Sequence, residues 1–316
     1  MKNVLITGAA GFIGSYLVEH HLAQQHAVWG VDNFCSSSPQ SLHHIALLGR
    51  SNYHFNNVDI TSTSFQDILG EQRFDLIYNF ACPASPPRYQ QIPIETTMTC
   101  VVGTKNVLDV AKRTRAVVVH ASTSEVYGDP TESPQRESYR GCVNPYGPRS
   151  CYDEGKRAAE ALCYDYYRQE GVDVRLARIF NTYGPRMDPF DGRVVTNFIV
   201  QALLKKPMTI YGRGDQTRSF CYVTDLVRGV VALAGLEKNP TTPVNLGNSI
   251  ELTVMQLGQL VQGKIGGEFD FKDLPVDDPM RRNPDITLAK NLLNWEPAVD
   301  ISAGLDQTID YMKRVV

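Results

Sequence analysis

The sequence has no C-x-x-C pair, no apolar run approaching the roughly 18 to 20 residues of a membrane helix, and no excess of basic charge. Each absence removes a class of function. Its seven cysteines, Cys35, Cys82, Cys100, Cys142, Cys151, Cys163 and Cys221, are odd in number and scattered. They indicate neither a zinc site nor a redox exchange motif, so no metal is expected and the thiols read as reduced and mostly buried. No positively charged leader with an apolar stretch precedes MKNVLITGAAGFIG, so a cytoplasmic location and no membrane partner are expected. Lys and Arg total 31 against 34 Asp and Glu, a formal charge of -3. That balance gives no global pull toward nucleic acid, and any anion site must be local. Internal repeats, low-complexity runs and linkers are also missing.

What is present is an ordinary globular composition, 42% hydrophobic and 21% charged, in a chain of 316 residues, long enough for a large core with a smaller lobe. Short β-branched runs alternate with amphipathic stretches in the first half, the pattern of a parallel sheet covered by helices on both faces. Strands are expected at Val4 to Thr7, Ala27 to Val31, Asn52 to Asn56, Leu76 to Phe80, Val117 to Ala121 and Val174 to Ile179. Helices are expected at Phe12 to Gln24, Ser62 to Leu69, Ile94 to Arg113 and Tyr152 to Glu170, the last stopping at Gly171. The fold class is therefore α/β, a doubly wound parallel Rossmann sheet with a smaller α/β substrate-binding lobe. Residues 1–179 form the core, with 223–246 returning to it, and 180–222 with 247–316 form the lobe.

Gly8-Ala-Ala-Gly11-Phe12-Ile13-Gly14 follows an apolar strand and opens a helix, the context of a dinucleotide turn. Glycines let the backbone approach a pyrophosphate, and the helix N-terminus offers free N–H groups. Asp32, followed by Asn33, closes the second strand 18 residues after Gly14. A carboxylate there suits ribose hydroxyls and repels a 2'-phosphate, which favours NAD over NADP. Asp59-Ile60 is placed to contact adenine, and Asn79-Phe-Ala81 to line the pyrophosphate and nicotinamide ribose; each could equally be only a strand end.

Tyr152 and Lys156 stand four apart and so share one face of a helix. A phenol is a poor base at neutral pH unless positive charge stabilises its anion, which a nearby ammonium and an oxidised nicotinamide would supply. Ser122-Thr123-Ser124-Glu125-Val126-Tyr127-Gly128 closes the fifth strand at the carboxyl edge, where ligands bind in such sheets.

With the glycine turn, Asp32, this strand end, Tyr-x-x-x-Lys and Asn181-Thr-Tyr-Gly-Pro-Arg186 in order, the chain resembles the extended short-chain dehydrogenase/reductase family over nearly its whole length. Ala81-Cys-Pro83-Ala-Ser-Pro-Pro87, Ser122 to Pro130, Gly147 to Arg157 and Arg218-Ser-Phe-Cys-Tyr-Val223 resemble its UDP-glucuronate decarboxylase branch. The resemblance implies Thr123, Glu125, Tyr152 and Lys156 as catalytic. Tyr152 would be the base, Lys156 would lower its pKa and hold the nicotinamide ribose, Thr123 would bond the sugar O4, and Glu125 would lie beside C5 and the carboxylate. It implies Gly8, Gly11, Phe12, Ile13, Gly14, Asp32, Asn33, Asp59, Ile60 and Ala81 on NAD. The substrate would meet Pro83, Ser124 and Arg186, with Asn181, Arg218 and Arg282 on UDP and Tyr211 near the uracil. It also implies a homodimer, in which the two longest helices could pair.

The expected reaction follows from placing a ketone at C4, beta to the C6 carboxylate. Carbon dioxide then leaves onto an electron sink, and protonation at C5 with re-reduction of C4 gives UDP-xylose. A 4,6-dehydratase of this family has an Asp where Ser124 stands, and a hydroxyl cannot replace that acid. Epimerisation at C4 shares the first oxidation and stays open, as does a non-catalytic NAD-binding protein. Cys100 stands where the family usually carries Asn, leaving open whether the 4-keto pentose is reduced or released, and Arg88, which bears on carboxylate binding, stands where close relatives often have His.

Overall fold

A computed structural model describes residues 1–37, 51–274 and 281–316. Its central sheet consists of β1 (Asn3–Thr7), β2 (Ala27–Asp32), β3 (Tyr53–Asn57), β4 (Leu76–Asn79), β5 (Val117–Thr123), β6 (Val174–Ile179) and β7 (Val244–Leu246). The strands are all parallel, in the order β7-β6-β5-β4-β1-β2-β3. Successive strand side chains leave opposite faces. Val4, Ile6, Val28 and Val119 therefore join one apolar layer, and Leu5, Val31 and Val118 the other.

Helices Phe12–Ala23 and Val223–Ala234 cover the first face through Leu17, Val18, Leu226 and Val230. Helices Thr104–Thr114 and Ser150–Glu170 cover the second through Val107, Leu108, Ala111 and Cys163. This is the doubly wound α/β architecture that the alternation predicts. The chain passes from β1 to β2 on one side and later to β4 on the other, so a crevice opens at the carboxyl end of β1.

All four expected helices differ in extent, the first only in ending at Ala23. The predicted helix Ile94 to Arg113 is two α-helices, Pro93–Met98 and Thr104–Thr114, joined by a wide π turn over Thr99–Gly103. That turn seats Gly103 against Ile60, where a Cβ would fall 2.5 Å from Ile60 Cδ1. Ser62, expected inside a helix, precedes Ser64–Leu69 and accepts the Ser64 N–H at 3.2 Å, consistent with the preference of serine for helix starts. The helix bearing Tyr152 begins at Ser150 and ends as expected at Gly171, whose φ of +69° suits glycine.

Beyond β6 lie small sheets. Thr182–Tyr183 pairs with Cys221–Tyr222, Met208–Tyr211 with Phe269–Lys272, and Thr217–Ser219 lies between Glu251–Thr253 and Arg281–Arg282. Among the described residues no helix is long and apolar enough to cross a membrane.

Candidate active site

The glycine turn after β1 is shaped by what it excludes. Gly8 has φ +71°, and a Cβ there would lie 2.6 Å from the Phe80 carbonyl oxygen; one at Gly14 would lie 1.9 Å from that of Gly8. Gly11 N–H donates to Gly8 O at 3.0 Å, and no side chain caps the helix that follows, an arrangement that suits an anion at its first N–H groups. Asp32 supports this turn from behind, accepting Ala10 N–H at 3.0 Å, Phe34 N–H at 2.8 Å and the Ser37 hydroxyl at 2.9 Å. Asn33 donates to Asp59 at 2.7 Å, the Ile60 carbonyl accepts from Asn106, and Ala81 N–H donates to Thr7 Oγ1 at 3.3 Å. Pro83 is buried.

A cleft of 1160 Å³ opens from this turn across the carboxyl ends of the strands, the size of a large ligand site. It brings together Gly8, Gly11, Phe12, Ile13 and Gly14 with Thr123, Ser124, Glu125, Tyr152 and Lys156, and with Asn181, Arg186, Tyr211, Arg218 and Arg282. Asp32, Asn33, Asp59, Ile60, Ala81 and Pro83 are not in its lining.

Tyr152 projects from the first turn of Ser150–Glu170 and lies buried, its ring parallel to Tyr89 with centroids 5.0 Å apart. Lys156 is one turn on, also buried. Its Nζ donates to the Ala121 carbonyl at 2.9 Å and stands 5.8 Å from the Tyr152 ring centroid. Burial pushes the phenol well above its ordinary value, and the hydrogen bond with Thr123 opposes that. Tyr152 therefore keeps its proton until a positive charge arrives beside it.

Across from the phenol, Glu125 is clamped between two guanidinium groups. Arg282 Nη1 donates to Glu125 Oε1 at 2.6 Å, and Arg149 bonds the other oxygen. Burial alone would raise this carboxyl, but the two arginines overcome it and hold the pKa at about 2. Arg282 also donates to Ser124 Oγ at 3.1 Å and to the Gly128 carbonyl at 3.0 Å. Asp153 lies 3.6 Å from Arg149 and is raised to about 7 by burial and by the Glu125 charge.

Sequence reasoning missed Arg149, Asp153 and Tyr89. A signal for Arg149 existed: a cation just ahead of a helix N-terminus opposes the helix dipole and calls for a carboxylate partner. Arg186 lies over the Tyr16 ring at 4.2 Å and pairs with Glu19. Arg218 pairs in register with Arg282 on the neighbouring strand. Tyr211 is 39% exposed at the cleft, and the backbone carbonyl of Asn181 accepts Cys221 N–H at 2.9 Å. Arg281 turns away from Arg282, pairing with Glu251 at 3.2 Å near the surface. Arg88 pairs with Asp188 at 3.3 Å.

A doubly wound parallel sheet with a glycine turn after its first strand and a buried Tyr-Lys pair at its carboxyl edge defines a Rossmann-type dehydrogenase/reductase. The chain belongs to the extended short-chain dehydrogenase/reductase family, and the GDP-mannose 4,6 dehydratase family model matches residues 5–308. It is similar to UDP-glucuronic acid decarboxylase 1 of Xenopus tropicalis, 50% identical over 315 residues that cover 99% of this chain and 72% of that one. UDP-glucuronic acid decarboxylase 1 of Arabidopsis thaliana is 47% identical, over 99% of this chain and 70% of its own length. Among solved structures, the UDP-glucuronic acid 4-epimerase from Bacillus cereus in complex with UDP-glucuronic acid and NAD matches with a TM-score of 0.88 and 29% identity. That match covers 99% of this chain and 100% of the epimerase.

Proposed function

We propose that this chain decarboxylates UDP-glucuronate to UDP-xylose through a C4-keto sugar, with NAD as a retained cofactor. The observation that carries the reading is the acid-poor end of β5, in a chain half identical to decarboxylases over 99% of its length. Ser124 is a hydroxyl, and Glu125, held at about 2, is an anion at neutral pH. Neither can protonate a departing C6 hydroxyl, as dehydration requires, whereas a carboxylate leaving as carbon dioxide needs no such acid.

The glycine positions where no Cβ fits and the uncapped helix start suit the NAD pyrophosphate. Gly8, Gly11, Phe12, Ile13 and Gly14 would cradle it, Lys156 would hold the nicotinamide ribose, and Asp32 with Asn33 would meet the adenosine ribose. Asp59 and Ile60 near the adenine and Ala81 near the pyrophosphate complete that side. When bound, the cofactor supplies removal of hydride from the sugar C4 and its return there.

The chain's own groups do the rest. Tyr152 takes the proton of the C4 hydroxyl, relayed or aligned by Thr123, which shares a hydrogen bond with it. Glu125 faces C5 and the carboxyl end of the sugar. Asn181, Arg186 and Arg218 hold the UDP side, Tyr211 sits at the uracil, and Pro83 and Ser124 border the sugar. Arg282, read from the sequence as a UDP contact, has both terminal nitrogens engaged with Glu125, Ser124 and Gly128, which supports a place beside the sugar instead. In this reading 180–222 and 247–316 form the sugar-nucleotide half, and the protein is a cytoplasmic homodimer. Exposed Ile94 and Met98 on Pro93–Met98 support an interface there, and sedimentation at micromolar concentration tests it.

Likeness to a 4-epimerase favours one rival, C4 inversion of the same substrate. Purified protein incubated with UDP-glucuronate separates them: UDP-xylose is expected by proton NMR, and UDP-galacturonate as the only product overturns decarboxylation.

A further inference from the structure

Two thiols brought together by distant segments play no part in the reaction above. Cys82, in the loop after β4, lines the cleft, while Cys100, in the wide turn Thr99–Gly103, is buried behind it. Their Sγ atoms lie 3.4 Å apart. Cys100 also packs on the helix that carries Tyr152 and Lys156, for a Cβ at Gly155 would meet its Sγ at 3.1 Å. We propose that Cys82 and Cys100 form a modification site, a dithiol that hydrogen peroxide converts to a disulfide, and that this bond slows turnover at the adjoining Tyr152.

A disulfide closes at about 2.05 Å, so the sulfurs must approach by more than an ångström. Both sides are held in place. The Cys82 loop is tied through Ala81 N–H to Thr7, and the Cys100 turn is wedged on Gly155 one residue from Lys156. Bond formation therefore displaces either the wall of the cleft or the helix that sets the Tyr-Lys geometry.

Either thiol can donate to the other across this contact, and Lys156 nearby favours a thiolate at both sulfurs. One of the two, as its thiolate, takes one oxygen from hydrogen peroxide as the O–O bond breaks, and the hydroxide released picks up a proton to become water. The other sulfur, giving up its proton, then attacks the sulfenic sulfur and expels the second oxygen as water. Two thiols and one peroxide give one disulfide and two waters, with two electrons passing from sulfur to oxygen.

The full chain, treated with a few equivalents of hydrogen peroxide and then alkylated, tests this by intact mass and peptide mapping. The expected result is loss of two hydrogens, with the Cys82 and Cys100 peptides joined. Turnover should fall about tenfold or more, as ångström-scale misplacement of catalytic groups produces, and a dithiol reductant should reverse both changes. Cys82→Ser and Cys100→Ser should each keep, after peroxide, the rate each had before it. The linkage is read without substrate, so it stands or falls independently of the reaction proposed above. Oxidation confined to the exposed Cys35 and Cys142, a linkage that leaves the rate unchanged, or equal rate loss in both serine variants would overturn the proposal.

Discussion

At the glycine end of the cleft, shape is set by close-packed backbone braced from behind by Asp32: Gly8 and Gly14 matter because nothing larger fits. At the Glu125 end, shape is set by charged side chains, Arg149 and Arg282 clamping a carboxylate from segments 24 and 157 residues away. The difference teaches what each end can tolerate. A backbone cradle fails through added atoms, whereas a buried charge cluster fails through lost balance, because any one removal strands the others.

The sharpest break leaves both ends intact and removes the chemistry between them. Tyr152→Phe should lower kcat by about 10³-fold, in the range of general acid-base catalysis, with cofactor affinity nearly unchanged in a fluorescence titration. A comparable loss of cofactor binding would assign Tyr152 to the cradle instead. Next, Glu125→Gln should cost about 3 kcal/mol of stability in a urea melt by leaving two arginines against a neutral amide. Adding Arg149→Met should restore part of that loss, because partners in one cluster are not additive. An additive pair would mean that the clamp is not a unit.

Gly14→Ala attacks the other end and should weaken cofactor binding by about 2 kcal/mol, roughly thirtyfold, while the Glu125 cluster stays in place. Binding unchanged in an isothermal titration would show that the turn yields to a Cβ.

The smallest effect is a slope. Asp153 is raised from an ordinary 3.8 to about 7 by burial and by the Glu125 charge, so the folded chain binds a proton that the unfolded chain releases. Its contribution to stability is full below about 4 and is lost as pH rises through about 7. Glu125 has the opposite sign, its contribution being present above 4.5 and lost as pH falls through about 2. Asp153→Asn should therefore flatten stability between pH 4 and 7, and melts at a series of pH values should reveal an unchanged slope if the carboxyl is ordinary.

The same contrast explains what could be read from the sequence. Gly8 to Gly14 and Tyr152 with Lys156 are written contiguously, because a turn and one helical face are local, and the strand alternation that builds the sheet is local too. Arg149 as the partner of Glu125, Arg282 turned toward Ser124, and the meeting of Cys82 with Cys100 depend on which segments fold against each other, and spacing along the chain carries no record of that. The break at Thr99–Gly103 was hidden for a related reason: apolar periodicity continues through it, and only the packing of Gly103 on Ile60 marks the turn.

The central claim, that the Tyr152 end makes a transient ketone whose carboxylate then departs, is tested most directly with UDP-glucuronate carrying carbon-13 at C6. Label should pass from the sugar to bicarbonate in step with the growth of UDP-xylose, with no lasting change in nicotinamide absorbance. Label that stays in a nucleotide uronate while substrate is consumed would contradict the account.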